Sequence, residues 1–85
     1  MTRDEILGAI KTNMLEVIEG ARGREIREEH SLVRDFGADS LEIVEVVSRT
    51  MKQLKLKVPR TQLSDAHSIG ELCDLFLQAA VTAGR

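Results

Sequence analysis

The chain has 85 residues, 42% of them hydrophobic, and a formal net charge of −2 at neutral pH. This length allows one domain with a modest core, and the hydrophobic fraction is too high for a disordered chain. The acidic balance and the aromatic content of 2% argue against nucleic-acid binding, which needs a cationic surface and stacking side chains. No apolar stretch reaches the length of a membrane span, so we expect a cytoplasmic protein without membrane contact.

The first predicted element is an amphipathic helix over roughly residues 3 to 19. Thr2 and Glu5 have the spacing of a capping box. Apolar residues recur at helical intervals after it, and Asn13 falls on the opposite, polar face. These apolar residues are Leu7, Ile10, Met14, Val17 and Ile18. Gly20 is expected to end the helix, since glycine favours that position.

A long loop is predicted over residues 20 to 38, which hold three glycines and charges of both signs. Its apolar residues are Ile26, Leu32, Val33 and Phe36, and we expect Phe36 to anchor the loop. A loop of this length in a small domain tends to be functional.

A second helix is predicted from about residue 40 to residue 54. Asp39 and Glu42 repeat the spacing of a capping box. The expected buried stripe is Val44, Val47, Met51 and Leu54. Valine lowers the intrinsic helix propensity, so this helix must depend on tertiary packing.

The remainder of the chain predicts a short third helix and a longer last one. Pro59 favours an extended Val58 and a short helix within residues 59 to 65. Ser68 and Glu71 form a third box-like start, for a helix over about 69 to 80, with residues 81 to 85 expected to fray. We therefore predict one all-α domain, residues 1–85: a four-helix bundle of three longer helices, a short third helix and a long first loop.

Ser40 raises the main functional question, because no histidine or lysine beside it could activate its hydroxyl. A nucleophilic serine needs such a base, and the surrounding sequence is not a hydrolase elbow, so a serine hydrolase is disfavoured. Two interpretations remain open. Ser40 caps the second helix, or it is modified by another enzyme and the helix N-terminus stabilises an attached phosphodiester.

The segment FGADSLEIVEVV, residues 36 to 47, closely resembles the attachment-site motif of acyl carrier proteins, and the resemblance extends over the whole chain. It implies a non-catalytic carrier in which Ser40 bears 4′-phosphopantetheine, transferred from coenzyme A, with acyl groups held as thioesters. Asp39 matches the aspartate that contacts the phosphopantetheinyl transferase. Leu41 matches the apolar residue that partner enzymes grip.

The same resemblance implies further partner and pocket residues. Glu42 and Glu45 match acidic positions that face basic patches on partners. The residues that match an acyl pocket are Val44, Val47, Leu63 and Ile69, although core packing alone would also explain them.

The second half of the predicted second helix departs from the family, because it becomes basic. Arg49 and Lys52 lie in this half of the helix, and the basic residues Lys55, Lys57 and Arg60 follow it. Either these cations only solvate a face and favour the helix C-terminus, or Arg49 and Lys52 contact unusual partners for which an acidic face would be wrong.

Residues 54 to 76 look like the same region of free-standing polyketide carriers, especially those serving a β-branching cassette. This resemblance implies an acyltransferase, a ketosynthase or an HMG-CoA-synthase-like enzyme as partners, with acetyl or malonyl as cargo, and a monomeric carrier. The alternatives are a carrier of fatty-acid synthesis and an unmodified helical interaction domain.

The remaining polar and sulfur-containing residues are expected to be structural. A single cysteine excludes an internal disulfide, and Cys73 falls on the apolar stripe of the last helix, as a buried hydrophobe does. Met14 and Met51 are expected in the core. His30 and His67 lack the neighbours that a metal site needs, so no metal is expected.

Overall fold

The computed structural model describes residues 1–63, 66 and 68–83, and of Arg60 the backbone only. The α-helices are α1 (Arg3–Val17), α2 (Ser40–Leu54), α3 (Arg60–Leu63) and α4 (Ile69–Thr82), and a 3₁₀ turn at Glu19–Ala21 follows α1. No strand occurs in the described residues. The predicted all-α fold, with a short third helix and a long loop before α2, is confirmed. None of these helices is long and apolar enough to span a membrane.

α1 begins where the capping box predicted. The Thr2 side chain accepts a hydrogen bond from the Glu5 backbone N–H, and the Glu5 carboxylate accepts one from the Thr2 N–H, each at 3.2 Å. The helix ends at Val17, because Ile18 is already extended. The expected stop at Gly20 is therefore wrong.

Gly20 is needed for close packing instead. A Cβ atom there would lie 2.4 Å from the carbonyl oxygen of Phe36. The end of α1 and the segment before α2 thus approach each other more closely than any side chain allows.

Asn13 was expected on the polar face of α1, and this prediction is wrong, because Asn13 is 5% exposed. Its amide nitrogen donates to the Thr50 hydroxyl at 2.9 Å and to the Gln53 side-chain oxygen at 3.3 Å. Thr50 in turn donates to the Val46 carbonyl at 2.7 Å. Since these buried polar groups are all hydrogen-bonded, their burial between α1 and α2 is tolerated.

The hydrophobic core lies between α1, α2 and α4. Its fully buried side chains are Ile6, Ile10, Met14, Ile18, Val46, Val47, Ile69, Cys73 and Phe76. The buried stripe of α2 differs from the predicted one: Val46, Val47 and Thr50 are buried, whereas Val44 is 37% exposed. The helix is rotated so that Val44 leaves the core.

Phe36 anchors the loop before α2, as predicted, and is 3% exposed. The His30 ring meets it edge-on at 5.3 Å between ring centroids. The Arg24 guanidinium lies 5.0 Å from the same centroid and donates to the Asp35 carbonyl oxygen.

A left-handed turn at Gly37 directs the chain into α2. Gly37 has a φ of +68°, and its N–H donates to the Val33 carbonyl at 2.9 Å, while the Ala38 N–H donates to the Leu32 carbonyl at 3.0 Å. The first bond, with Gly37 in the left-handed conformation, is the 5→1 bond of an αL turn. Leu32 and Ala38, which the second bond joins, are buried. The glycine of the motif is therefore a requirement of the backbone.

Arg3 joins α1, the loop and α4. Its guanidinium contacts the Glu28 carboxylate at 2.6 Å, the Asp74 carboxylate at 2.6 Å and the Gly70 carbonyl oxygen at 3.0 Å. Hydrogen bonds to Glu28 and Asp74 raise the pKa of Arg3, so it remains a cation. The Gly70 N–H also donates to the Glu28 carbonyl at 2.8 Å, which fixes the loop against the start of α4.

The segment between α2 and α3, residues 56 to 59, has no regular secondary structure. Lys55 ends α2 with a φ of +56°, and Leu56 and Val58 are buried. α3 falls within the predicted range 59 to 65, of which residues 64 and 65 lie outside the described part of the chain.

α4 begins as predicted, because the Ser68 hydroxyl accepts from the Glu71 N–H at 3.1 Å. It extends to Thr82, two residues beyond the predicted end. The expected fraying is therefore wrong for Val81 and Thr82. Residues 84 and 85 lie outside the described part.

Candidate functional site

Asp39, and not Ser40, caps α2. The Asp39 carboxylate accepts from the Glu42 N–H at 2.8 Å, and the Glu42 carboxylate accepts from the Asp39 N–H at 3.0 Å. Ser40 is consequently the first residue inside the helix. The interpretation of Ser40 as the cap is wrong, since that role is filled by its neighbour.

The Ser40 side chain is exposed, and within the described residues its hydroxyl makes no hydrogen bond. Ser40 and Leu41 occupy the first two positions of a 15-residue helix, where backbone N–H groups have no partner within the helix. These donors and the helix dipole favour an anion beside Ser40. The residues present therefore fit a phosphodiester on this serine.

The outer surface of α2 is apolar and acidic at its start and basic at its end. Leu41 is 81% exposed at this start. Glu45 accepts from Arg49 at 2.8 Å, and Arg49 also reaches Glu16 at 2.9 Å. These carboxylates, the hydrogen-bonded Glu45 foremost, raise the pKa of Arg49. Lys52 is exposed and makes no ion pair with a described residue.

A cavity of about 600 Å³ lies beside Ser40, between the loop, the start of α2, α3 and the start of α4. Its described apolar lining is Leu32, Val33, Ile43, Val44, Leu63, Ala66 and Leu72, and its polar lining is Ser31, Arg34, Ser40 and Ser68. Of the four residues assigned to an acyl pocket, Val44 and Leu63 line this cavity. Val47 and Ile69 are 1% and 0% exposed and belong to the core.

Sequence reasoning missed Ile43 and Leu72 as lining residues. Ile43 was open to prediction, because residues three and four positions after Ser40 share its face of the helix. Leu72 was not, since only the packing of α4 against the loop brings it to the cavity.

Cys73 is fully buried, as expected. Desolvation raises the pKa of its thiol to about 11, so the nucleophilic thiolate is scarce at neutral pH. Within the described residues, no cluster of three or more His, Cys, Asp and Glu side chains suits a metal ion. The His30 ring instead accepts from the Arg27 N–H at 3.0 Å, and His67 lies outside the described part.

We expect native Cys73 to resist iodoacetamide at pH 7.5. Burial blocks access, and the raised pKa leaves almost no thiolate until the pH approaches 11. Alkylation followed by intact mass should give no adduct on the unmodified folded protein and one adduct in denaturant. Rapid alkylation of the folded protein would contradict the buried position.

Comparisons with known proteins all indicate the same family. The sequence profile described as phosphopantetheine attachment site matches residues 12–76. The polyketide biosynthesis acyl-carrier-protein AcpK of Bacillus subtilis is 32% identical over 83 residues, covering 98% of this chain and 100% of that protein. An acyl carrier protein of Saccharopolyspora erythraea is 34% identical over 77 residues, covering 91% and 80%. A meromycolate extension acyl carrier protein of Mycobacterium leprae is 31% identical over 72 residues, covering 85% and 62%.

The matched region contains the loop, Ser40, α2 and most of α4. The family is non-catalytic, and its members work with a phosphopantetheinyl transferase and with biosynthetic enzymes. The chain thus belongs to the acyl carrier protein family and is a phosphopantetheine-bearing carrier of acyl groups.

Proposed function

We propose that Ser40 is the attachment point of the arm, and that the protein is a discrete, monomeric carrier in polyketide or related specialised acyl assembly. One observation carries the attachment site: an exposed serine at the first position of α2 lies beside an apolar cavity. The bound arm supplies a thiol that holds the acyl group as a thioester. A tethered acyl group is presented to each partner at high effective concentration.

The protein's own residues position the serine and shelter the cargo. Asp39 caps α2, so the exposed Ser40 is held at the first position of a helix and does not lie in the preceding loop. The N–H groups of Ser40 and Leu41, at the start of α2, would stabilise the negative charge of the phosphodiester. Val44 and Leu63 would contact the acyl chain, while Val47 and Ile69 support the cavity from the core. A direct acyl contact for those two stays a prediction.

The proposed docking surface runs along α2, from the apolar Leu41 through Glu42 and Glu45 to Arg49 and Lys52. Because Arg49 is paired with Glu45 and Glu16, its positive charge is offset by two carboxylates in the middle of this surface. A partner that fits it presents a basic group opposite the start of α2 and an acidic group opposite Lys52. Such a pattern of both signs favours selectivity over raw affinity.

Assignment to polyketide assembly is supported by the full-length similarity to a carrier named for polyketide biosynthesis. An acyltransferase, a ketosynthase or an HMG-CoA-synthase-like enzyme is then the partner, and the role of donor in β-branching stays a prediction. Similar identity to an acyl carrier protein and to a meromycolate extension carrier supports fatty-acid synthesis as the second candidate. Transfer assays with a ketosynthase of each pathway would separate the two.

The attachment site is tested by incubating the unmodified protein with coenzyme A, Mg²⁺ and a broad-specificity phosphopantetheinyl transferase. We expect the intact mass to increase by one phosphopantetheine, and proteolysis to locate it on the peptide that contains Ser40. A folded protein that gains no mass would overturn the proposal.

Leu41→Ala should slow this modification without unfolding the protein. Leu41 is 81% exposed, so its removal costs little stability, whereas an exposed apolar anchor can dominate a small interface. We expect kcat/KM with the transferase to fall about tenfold, equivalent to ~1.4 kcal/mol.

Val81→Ala is the matched control, because Val81 is 75% exposed on α4. It should leave kcat/KM unchanged. Equal rates for both variants would remove Leu41 from the docking surface.

A further inference from the structure

Arg34 differs from every other arginine whose side chain the structure describes. Ion pairs hold Arg3, Arg27 and Arg49, and backbone carbonyl oxygens accept from Arg22 and Arg24. The Arg34 guanidinium is exposed and has no ion pair or hydrogen bond with a described residue. Only its backbone is engaged, through the N–H that donates to the Ser31 hydroxyl at 3.2 Å.

The position of Arg34 indicates which anion its guanidinium could bind. It lines the same cavity as Ser40, and it is the one charged residue among the described lining residues. The rest of that lining is aliphatic or carries a hydroxyl. A positive charge beside apolar walls attracts an anion more strongly than one surrounded by water.

We propose that the cavity accepts acyl groups ending in a carboxylate, and that Arg34 binds that carboxylate. This inference rests on the proposed attachment of the arm to Ser40. The planar guanidinium matches a carboxylate with two parallel hydrogen bonds. The aliphatic walls, Ile43, Val44 and Leu72 among them, would contact the methylene groups between the thioester and the carboxylate.

The phosphodiester of the arm is the other anion expected near Ser40. Backbone N–H groups at the start of α2 can stabilise it without Arg34. The N–H groups of Ser40 and Leu41 lie at the start of α2, directly beside the attachment oxygen. Arg34 precedes this helix, in the turn closed by Gly37. Since Arg34 has no ion pair with a described residue, a second anion at the free end of the acyl group is the partner that we assign to its guanidinium.

The test compares acyl groups matched in carbon number. The transferase loads the protein from adipoyl- or hexanoyl-coenzyme A, and the intact mass verifies each product. NMR then follows the Arg34 side-chain Nε–H resonance and the nuclear Overhauser contacts between acyl protons and the Val44 and Leu63 methyl groups. We expect the Nε–H resonance to shift with adipoyl and to stay in place with hexanoyl.

Arg34→Gln supplies the quantitative test. It should weaken the adipoyl contacts to the cavity methyl groups about two- to fivefold, the range of an exposed ion pair, and leave the hexanoyl contacts unchanged. Arg34→Lys should restore part of the adipoyl signal. Arg22→Gln is the control, because Arg22 is an exposed arginine that does not line the cavity.

Several outcomes would overturn the inference while leaving the carrier function intact. One is equal behaviour of adipoyl and hexanoyl on a protein that has gained the correct mass. Another is an Nε–H shift that appears when the bare arm is attached and does not change with the acyl group, since Arg34 would then bind the phosphodiester. Failure of the proposed function itself is distinct, because no mass would be added at all.

Discussion

Ser40→Ala is expected to remove the phosphopantetheine mass completely while the protein remains folded. Ser40 is the first residue of α2 and its hydroxyl makes no hydrogen bond within the described residues, so its loss leaves the Asp39 cap intact. Alanine is also a better helix former than serine. Intact mass after incubation with the transferase measures the loss, and thermal unfolding monitored by circular dichroism establishes the fold.

Ser48→Ala is the matched control, because Ser48 is a half-buried serine on the same helix. This variant should gain the full mass at the rate of the unchanged protein. A folded Ser40→Ala variant that still gains one phosphopantetheine would place the attachment at another residue.

Helix starts in this chain could be predicted because each depends on residues three positions apart. Thr2 with Glu5 and Asp39 with Glu42 satisfy the first N–H groups locally, and serine, threonine and aspartate favour such positions. The ends of α1 and α4 were placed less well, because α1 ends before the glycine that was expected to stop it and α4 continues two residues past its predicted end.

The cavity could be predicted only in part. Val44 and Leu63 were assigned to it and line it. Val44 and Val47 are both valines on the predicted apolar stripe of α2. The rotation of the helix buries Val47 in the core and leaves Val44 at the cavity. Asn13 gave no sign of its buried partner Thr50, which lies 37 positions away. Contacts between distant segments carry no local pattern, and they decide which apolar side chain faces the cavity.

Gly20→Ala is expected to destabilise the protein by about 1–3 kcal/mol, as overpacking does. The added Cβ would lie 2.4 Å from the Phe36 carbonyl oxygen. That atom belongs to the backbone and cannot turn away as the end of a flexible side chain could. Urea unfolding, with the free energy taken at zero denaturant, measures the loss.

Gly8→Ala provides the matched control, and the opposite sign is expected. Gly8 lies inside α1 and is exposed, and a Cβ atom added there would meet no other atom within 4 Å. Alanine there should stabilise the protein by about 0.5–1 kcal/mol, because glycine is a poor residue inside a helix. Destabilisation of similar size in both variants would contradict the specific contact at Gly20.

The Gly20 contact also bears on function, because Phe36 is the first residue of the segment that carries Asp39 and Ser40. A displaced Phe36 carbonyl moves the chain just before the left-handed Gly37 and the Asp39 cap. Gly20→Ala should therefore slow modification of Ser40 under conditions where the variant is still folded, whereas Gly8→Ala should not. An unchanged modification rate in folded Gly20→Ala would mean that the start of α2 is held by its own cap and turn, independently of the end of α1.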